Sequence, residues 1–178
     1  MSWKPIFFTA SPASEPPLAG DAVKKIGFQV MIAYRTMRFF RASGLGLAAQ
    51  LASRGMRHAF GSDIHWDAEL EPGVMIVHGF GLAVSYAARV RHGSILFQNV
   101  TLGFGPAAEK GAPGGAPLLE PRVHVGIGAT LYGPIVVGEG TKIMAGCVLS
   151  RSVPPRSIVE APVPGVSGRA PEARAPRV

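Results

Sequence analysis

The chain has 178 residues, enough for one domain with a sizeable core, since 47% of them are apolar. Its 23 glycines and 16 prolines argue for turns and short strands rather than a helical bundle, and its single cysteine, Cys147, excludes an internal disulfide framework. The net charge of +7 admits a polyanionic partner, but no zinc-ligand spacing, RNP-type aromatic motif or GxxxxGK[ST] loop is present, which argues against nucleic acid, nucleotide hydrolysis and a bound metal.

Residues 1–20 carry scattered prolines without a continuous apolar core, so a flexible N-terminus and no signal peptide are expected. Residues 21–61 read as a helical segment. Asp21 is a candidate N-cap for a helix over roughly 22–41, and a second helix over 45–58 follows the Ser43-Gly44 break. The longest apolar stretch, 26–34, is too short to span a bilayer and is soon followed by Arg35, Arg38 and Arg41, so a soluble, cytoplasmic chain is expected. Residues 21–60 hold seven Lys or Arg and one acid, Asp21. Two readings are open for them: a solvated basic face on helices that cap a solenoid, which is favoured here, and peripheral contact with an anionic membrane.

From Ile64 onward an aliphatic residue recurs every six positions. The first series is Ile64, Leu70 and Ile76; the second is Val84, Val90, Leu96 and Leu102; the third is Leu119, Val125, Leu131, Val137, Ile143 and Leu149. A second small or apolar residue follows four positions after most of these, as at Ala68, Val74, Val100, Ala129 and Cys147. A period of six fits neither a 3.6-residue helix nor simple alternation. It fits a parallel β-helix in which each hexad is a short strand plus a corner, and three hexads close one triangular coil. About four such coils are expected over 62–164. A β-sandwich would need Asn-Gly or Asp-Gly hairpins, and this region has neither.

The rhythm slips twice. Two extra residues fall between Ile76 and Val84, around His78, and eleven between Leu102 and Leu119, giving an extruded loop over 104–117. A solenoid accepts insertions only where they bulge from a face, and that face is often the binding one. An imidazole in the apolar run GVMIVHGFGLAV would cost free energy if buried unpaired, so the slip around His78 nominates it for chemistry. Beyond Gly165 a Pro-, Ala- and Arg-rich tail, 165–178, reads as disordered.

The runs SDIHWDAELEPGVMIVHG, ILFQNVTLG and GIGATLYGPIVVGEGTKIMAGCVLSRSVPP, over about residues 62–155, resemble the serine acetyltransferase family of hexapeptide-repeat acyltransferases. The segment AYRTMRFF extends the likeness towards the N-terminus. The resemblance implies a left-handed parallel β-helix that transfers acetyl from acetyl-CoA to a hydroxyl, with no metal. It implies His78 as general base, Asp63 as the carboxylate that holds it, and His65 as a possible further orienting residue. Acetyl-CoA would lie between neighbouring solenoids of a homotrimer, with Gly103, Ile127 and Ala145 along the pantetheine arm and Lys142 and Arg169 at the phosphates.

The departures fall on the acceptor side. Val77 stands where serine-specific members carry an aspartate, and Gly115 and Ala116 stand where they carry an Arg-His pair. A zwitterionic acceptor needs both charges answered. The HGFG run, 78–81, looks more like members that acetylate exopolysaccharide sugars, so Val77, Gly79, Phe80, Gly115 and Ala116 are read as an acceptor site for a saccharide hydroxyl, with serine or a small hydroxy acid as the competing acceptor. Phe80 has two readings, a platform for a sugar face or a core aromatic. The N-terminal part is short for the family, and the tail lacks the terminal isoleucine through which members dock on the next cysteine-pathway enzyme, so that partnership is not expected. A β-helix without catalysis, serving as a structural or binding module, is the alternative from another class.

Overall fold

A computed structural model describes residues 25–105 and 115–162. Two helices lead into a solenoid of short parallel strands. One face stacks β1 (Asp63–Ile64), β4 (Ala83–Val84), β7 (Thr101–Gly103), β10 (Thr130–Tyr132) and β13 (Val148–Leu149). The second face stacks β2 (Glu69–Leu70), β5 (Arg89–Val90), β8 (Leu118–Leu119) and β11 (Val136–Val137). The third stacks β3 (Met75–Ile76), β6 (Ile95–Leu96), β9 (His124–Val125), β12 (Lys142–Ile143) and β14 (Ile158–Val159). The fold is a left-handed parallel β-helix.

Strand pairing turns the hexad rhythm into register. Ala83 pairs with Thr101, eighteen positions on, and Thr130 with Val148, eighteen on, which is three hexads per coil. Asp63 pairs with Ala83, twenty on, and Thr101 with Thr130, twenty-nine on, so both surpluses fall where the rhythm slips. All thirteen hexad aliphatics are buried, and Ala68, Val74, Val100, Ala129 and Cys147 join them inside. Each aliphatic stacked in this interior contributes about 1.5–3 kcal/mol. The solenoid is longer than the four coils expected. Lys142 pairs with Ile158, sixteen positions on, closing a fifth, shortened coil that the six-residue count did not predict.

The helices cap the first coil. Helix α1 (Ile26–Ala42) buries Gly27, Val30, Tyr34 and Met37, and α2 (Gly46–Phe60) buries Ala49, Ser53 and Met56. Lys25 precedes α1 in extended conformation, so this helix begins later than an N-cap at Asp21 would place it, and Asp21 itself lies outside the described residues. The open end of a β-helix leaves strand amides and carbonyls without a neighbouring coil. Tyr34 supplies the missing partners: its buried hydroxyl donates to the Ala68 carbonyl at 2.5 Å and accepts from the Leu70 amide at 3.2 Å. Arg38 adds a hydrogen bond to that hydroxyl at 3.1 Å.

Close approach of α1 requires glycine. A Cβ on Gly27 would lie more than 1 Å inside the 3.0 Å limit of real Cβ contacts, against the Ile76 carbonyl oxygen. At the other end of the pair, α2 stops at Gly61, which takes the left-handed conformation that ends many helices, and its amide bonds the Arg57 carbonyl at 2.9 Å.

Candidate active site

The two-residue surplus forms the corner between the third face and the first, at 77–82. Val77 is still in register, its amide donating to the Leu96 carbonyl at 2.8 Å. His78 then takes φ +65°, the left-handed region that non-glycine residues enter at a cost of order 1–3 kcal/mol. The corner is held from several sides. The buried Ser62 hydroxyl donates to the Gly79 carbonyl at 2.7 Å and accepts from the Leu82 amide at 3.1 Å, while the Asn99 amide bonds the Phe80 carbonyl at 2.8 Å. The result turns the His78 imidazole out to solvent, and among the described residues it has no hydrogen-bond or ion-pair partner. A base must be reachable and unengaged, and this histidine is both.

Asp63 sits on β1 with its carboxylate half exposed, and its Oδ1 accepts from Arg57 Nε at 2.9 Å. The resemblance assigns this carboxylate to His78; among the described residues its ion-pair partner is Arg57, which the end of α2 brings over the start of β1. His65 follows on the same strand edge. Its Nδ1 accepts from the Asp67 amide at 3.1 Å, which leaves the ring proton of the neutral form on Nε2. The ring lies 4.7 Å from Trp66 and 5.9 Å, edge-on, from Tyr86. Asp63, His65, Ser85, Tyr86, Thr101 and Gly103 line a shallow hollow of about 310 Å³ on the first face.

The acceptor-side residues divide. Phe80 is 46% exposed, so it is not a core aromatic. Gly79 turns inward, where its Cβ position would lie 3.0 Å from Val30 and 3.2 Å from the Gly27 Cα, so it packs against α1. Ala116 is 2% exposed and belongs to the core, because the chain re-enters the solenoid there ahead of β8. Gly115 closes the neck of the extruded loop. Its carbonyl accepts from the Gly105 amide at 2.8 Å, and at φ +77° a Cβ would collide with the Phe104 ring.

The residues assigned to acetyl-CoA lie on two edges and a face. Ile127 and Ala145 stand on the same edge as His78, where the Ile127 carbonyl accepts from the Gly146 amide at 2.8 Å. Gly103 borders the hollow at the opposite edge of the first face. Lys142 projects from the third face beside His124, whose pKa is lowered first by burial and then by the Lys142 charge. Arg169 lies outside the described residues. Among the described residues no group of three potential metal ligands gathers.

Three aromatic residues were not singled out from the sequence. Trp66, Tyr86 and Phe104 occupy one corner in successive coils, and Tyr86 and Phe104 stack with centroids 5.7 Å apart. Their signal was present, since each stands two positions after a first-face hexad aliphatic: Ile64, Val84 and Leu102.

No protein-family profile matches the chain. Over 143 residues it is 34% identical to a serine acetyltransferase of Synechococcus elongatus, covering 80% of this chain and 56% of that one. The solved structure of Neisseria gonorrhoeae serine acetyltransferase in complex with serine superposes with a TM-score of 0.70 at 30% identity, over 81% of this chain and 57% of that chain. In sequence and in fold the chain is similar to the serine acetyltransferases. It spans about half the length of the curated relatives it matches, 56% in the first case and 47% for the Escherichia coli enzyme, which is 33% identical over 133 residues and 74% of this chain. The likeness thus extends over most of this chain and about half of each relative.

Proposed function

We propose that this chain transfers the acetyl group of acetyl-CoA to an acceptor hydroxyl, with His78 as the general base. The observation that carries the reading is the His78 corner: a two-residue surplus, pinned by Ser62, Asn99 and α1, that holds an unengaged imidazole outside the solenoid. The neutral imidazole takes the acceptor proton as the hydroxyl oxygen attacks the thioester carbonyl. The tetrahedral adduct collapses, the C–S bond breaks, and the imidazolium returns its proton to the departing thiolate of CoA. A positioned base of this kind contributes on the order of 10²- to 10⁴-fold in rate. Ile127 and Ala145, on the His78 edge, would carry the pantetheine arm, and Lys142 a phosphate. Asp63 and His65 border the hollow on the first face, where Asp63 would be the carboxylate that orients the base. A neighbouring solenoid of a homotrimer would form the other wall of the cofactor groove.

The acceptor we propose is a neutral saccharide hydroxyl. Val77 puts an apolar side chain beside the base, Phe80 adds an exposed aromatic, and neither Gly115 nor Ala116 offers a cation for a carboxylate. L-Serine is the second reading, favoured by the relatives, which are named serine acetyltransferases, one of them solved with serine. Incubation with acetyl-CoA and a panel of mono- and oligosaccharides, L-serine and small hydroxy acids, read as release of CoA thiol, separates the two. Turnover of sugars with none of serine supports the saccharide reading, and robust turnover of L-serine overturns the argument from Val77 and Ala116.

A further inference from the structure

The outer surface of the helical cap has no role in the chemistry above. Helix α1 turns Val30, Tyr34 and Met37 towards the solenoid, and α2 turns Ala49, Ser53 and Met56. At 100° per residue, the opposite stripes hold Ile32, Arg35 and Phe39 on α1, and Leu47, Leu51, Arg54 and His58 on α2. All of these are exposed, and the apolar ones strongly so: Phe39 is 65% exposed and Leu47 72%, with Leu45 between the helices exposed as well. Residues 25–61 hold six cations, Lys25, Arg35, Arg38, Arg41, Arg54 and Arg57, and no acid.

A merely solvated face would not spend five large apolar side chains on water, and a surface built for an apolar protein partner would not set them among cations in a segment that holds no acid. Amphipathic helices with Leu and Phe ringed by Arg suit the boundary of an anionic bilayer, where apolar side chains enter the acyl region and guanidinium groups meet lipid phosphates. Among the described residues no helix is long and apolar enough to cross a membrane, so the helix pair would lie along the surface. We infer that the outer face of α1 and α2 docks on anionic membrane, seated by Ile32, Phe39, Leu45, Leu47 and Leu51. The solenoid then points away from the lipid, and the first coil, with His78 on its corner, stands about one helix diameter (~10 Å) behind it. The docking rests on the cap surface and not on acetyl transfer, since vesicle binding is measured without substrate.

The test is co-sedimentation of the full chain with vesicles of phosphatidylcholine alone or with about a third phosphatidylglycerol, at about 0.1 M salt. The expected result is binding to the anionic vesicles only, released by raising the salt. Two variants of exposed side chains separate the contributions. Arg35→Glu with Arg54→Glu should weaken partitioning at least about thirty-fold, at roughly fivefold per lost charge. Leu47→Ser with Leu51→Ser should weaken it at least tenfold with an unchanged circular dichroism spectrum. Equal binding to neutral and anionic vesicles overturns the proposal, as does no binding to either. Binding by the leucine variant at the wild-type level overturns it too, because the stripe is then not in lipid. A wild type that ignores vesicles but becomes a smaller oligomer on the leucine changes assigns the face to a second copy of the chain instead.

Discussion

Two glycine-to-alanine changes on the helical cap, made separately, should act in opposite directions. At Gly27 the added methyl would meet the backbone carbonyl of Ile76, more than 1 Å inside the 3.0 Å limit for a Cβ contact. No rotamer change can relieve a clash with backbone, so α1 must lift from the corner at 77–82. Overpacking of this kind costs about 3 kcal/mol. At roughly 2–4 °C per kcal/mol for a chain of this size, the midpoint should fall by roughly 6–12 °C. At Gly55, inside α2, the added methyl meets nothing within 4 Å. There the substitution removes backbone entropy from the unfolded chain and should stabilise by about 0.5–1 kcal/mol. Thermal and urea unfolding of both variants, followed by circular dichroism, supplies the comparison. A Gly27→Ala protein within about 0.5 kcal/mol of wild type would refute the docking of α1 on the His78 corner, since ordinary surface changes stay within that range.

Other consequences follow from single contacts. Tyr34→Phe keeps the buried ring but strands the Ala68 carbonyl and the Leu70 amide, and should cost about 1–3 kcal/mol in urea unfolding. His124 has its folded pKa lowered by burial and by Lys142, so the unfolded state binds the proton more readily. Stability is therefore full above the ordinary histidine value near 6.5 and falls as pH drops below it, and His124→Gln should flatten that slope between about pH 7 and pH 5. Arg57→Gln releases Asp63 from its 2.9 Å partner and should lower kcat with little change in the KM for acetyl-CoA; an unchanged kcat would remove Asp63 and Arg57 from the site's machinery.

The solenoid was legible because its determinant is local and repetitive. An inward aliphatic every six residues is dictated by the coil itself, so Ile64 through Leu149 could be placed by counting. Both insertions were legible for the same reason, as interruptions of a count. The shortened coil between Lys142 and Ile158 was not, because the inward pattern gives out after Val153 and the proline pair at 154 and 155 hides the rhythm. At the site, the exposure of His78 could be read from the phase slip. The partner of Asp63 could not, because Arg57 arrives from a helix whose end point depends on how α2 packs over β1. That Gly79 and Ala116 face inward was not legible for a related reason: proximity in sequence to a base or a loop does not say which way a side chain points. Tyr34 shows the same limit from the other side, since a tyrosine in a helical run gives no hint that its hydroxyl will stand in for a missing coil.

The central claim is that His78 is the base of an acetyl transfer. Steady-state kinetics of His78→Ala, with acetyl-CoA and whichever acceptor the wild type uses, test it most directly. The prediction is a fall in kcat of about 10²- to 10⁴-fold, with acetyl-CoA binding retained and the melting temperature close to that of wild type, since the imidazole is exposed and alanine keeps the Cβ at φ +65°. An His78→Ala enzyme that turns over at the wild-type rate would contradict the assignment, and a wild type that neither binds CoA nor acetylates any acceptor would make the chain a structural β-helix.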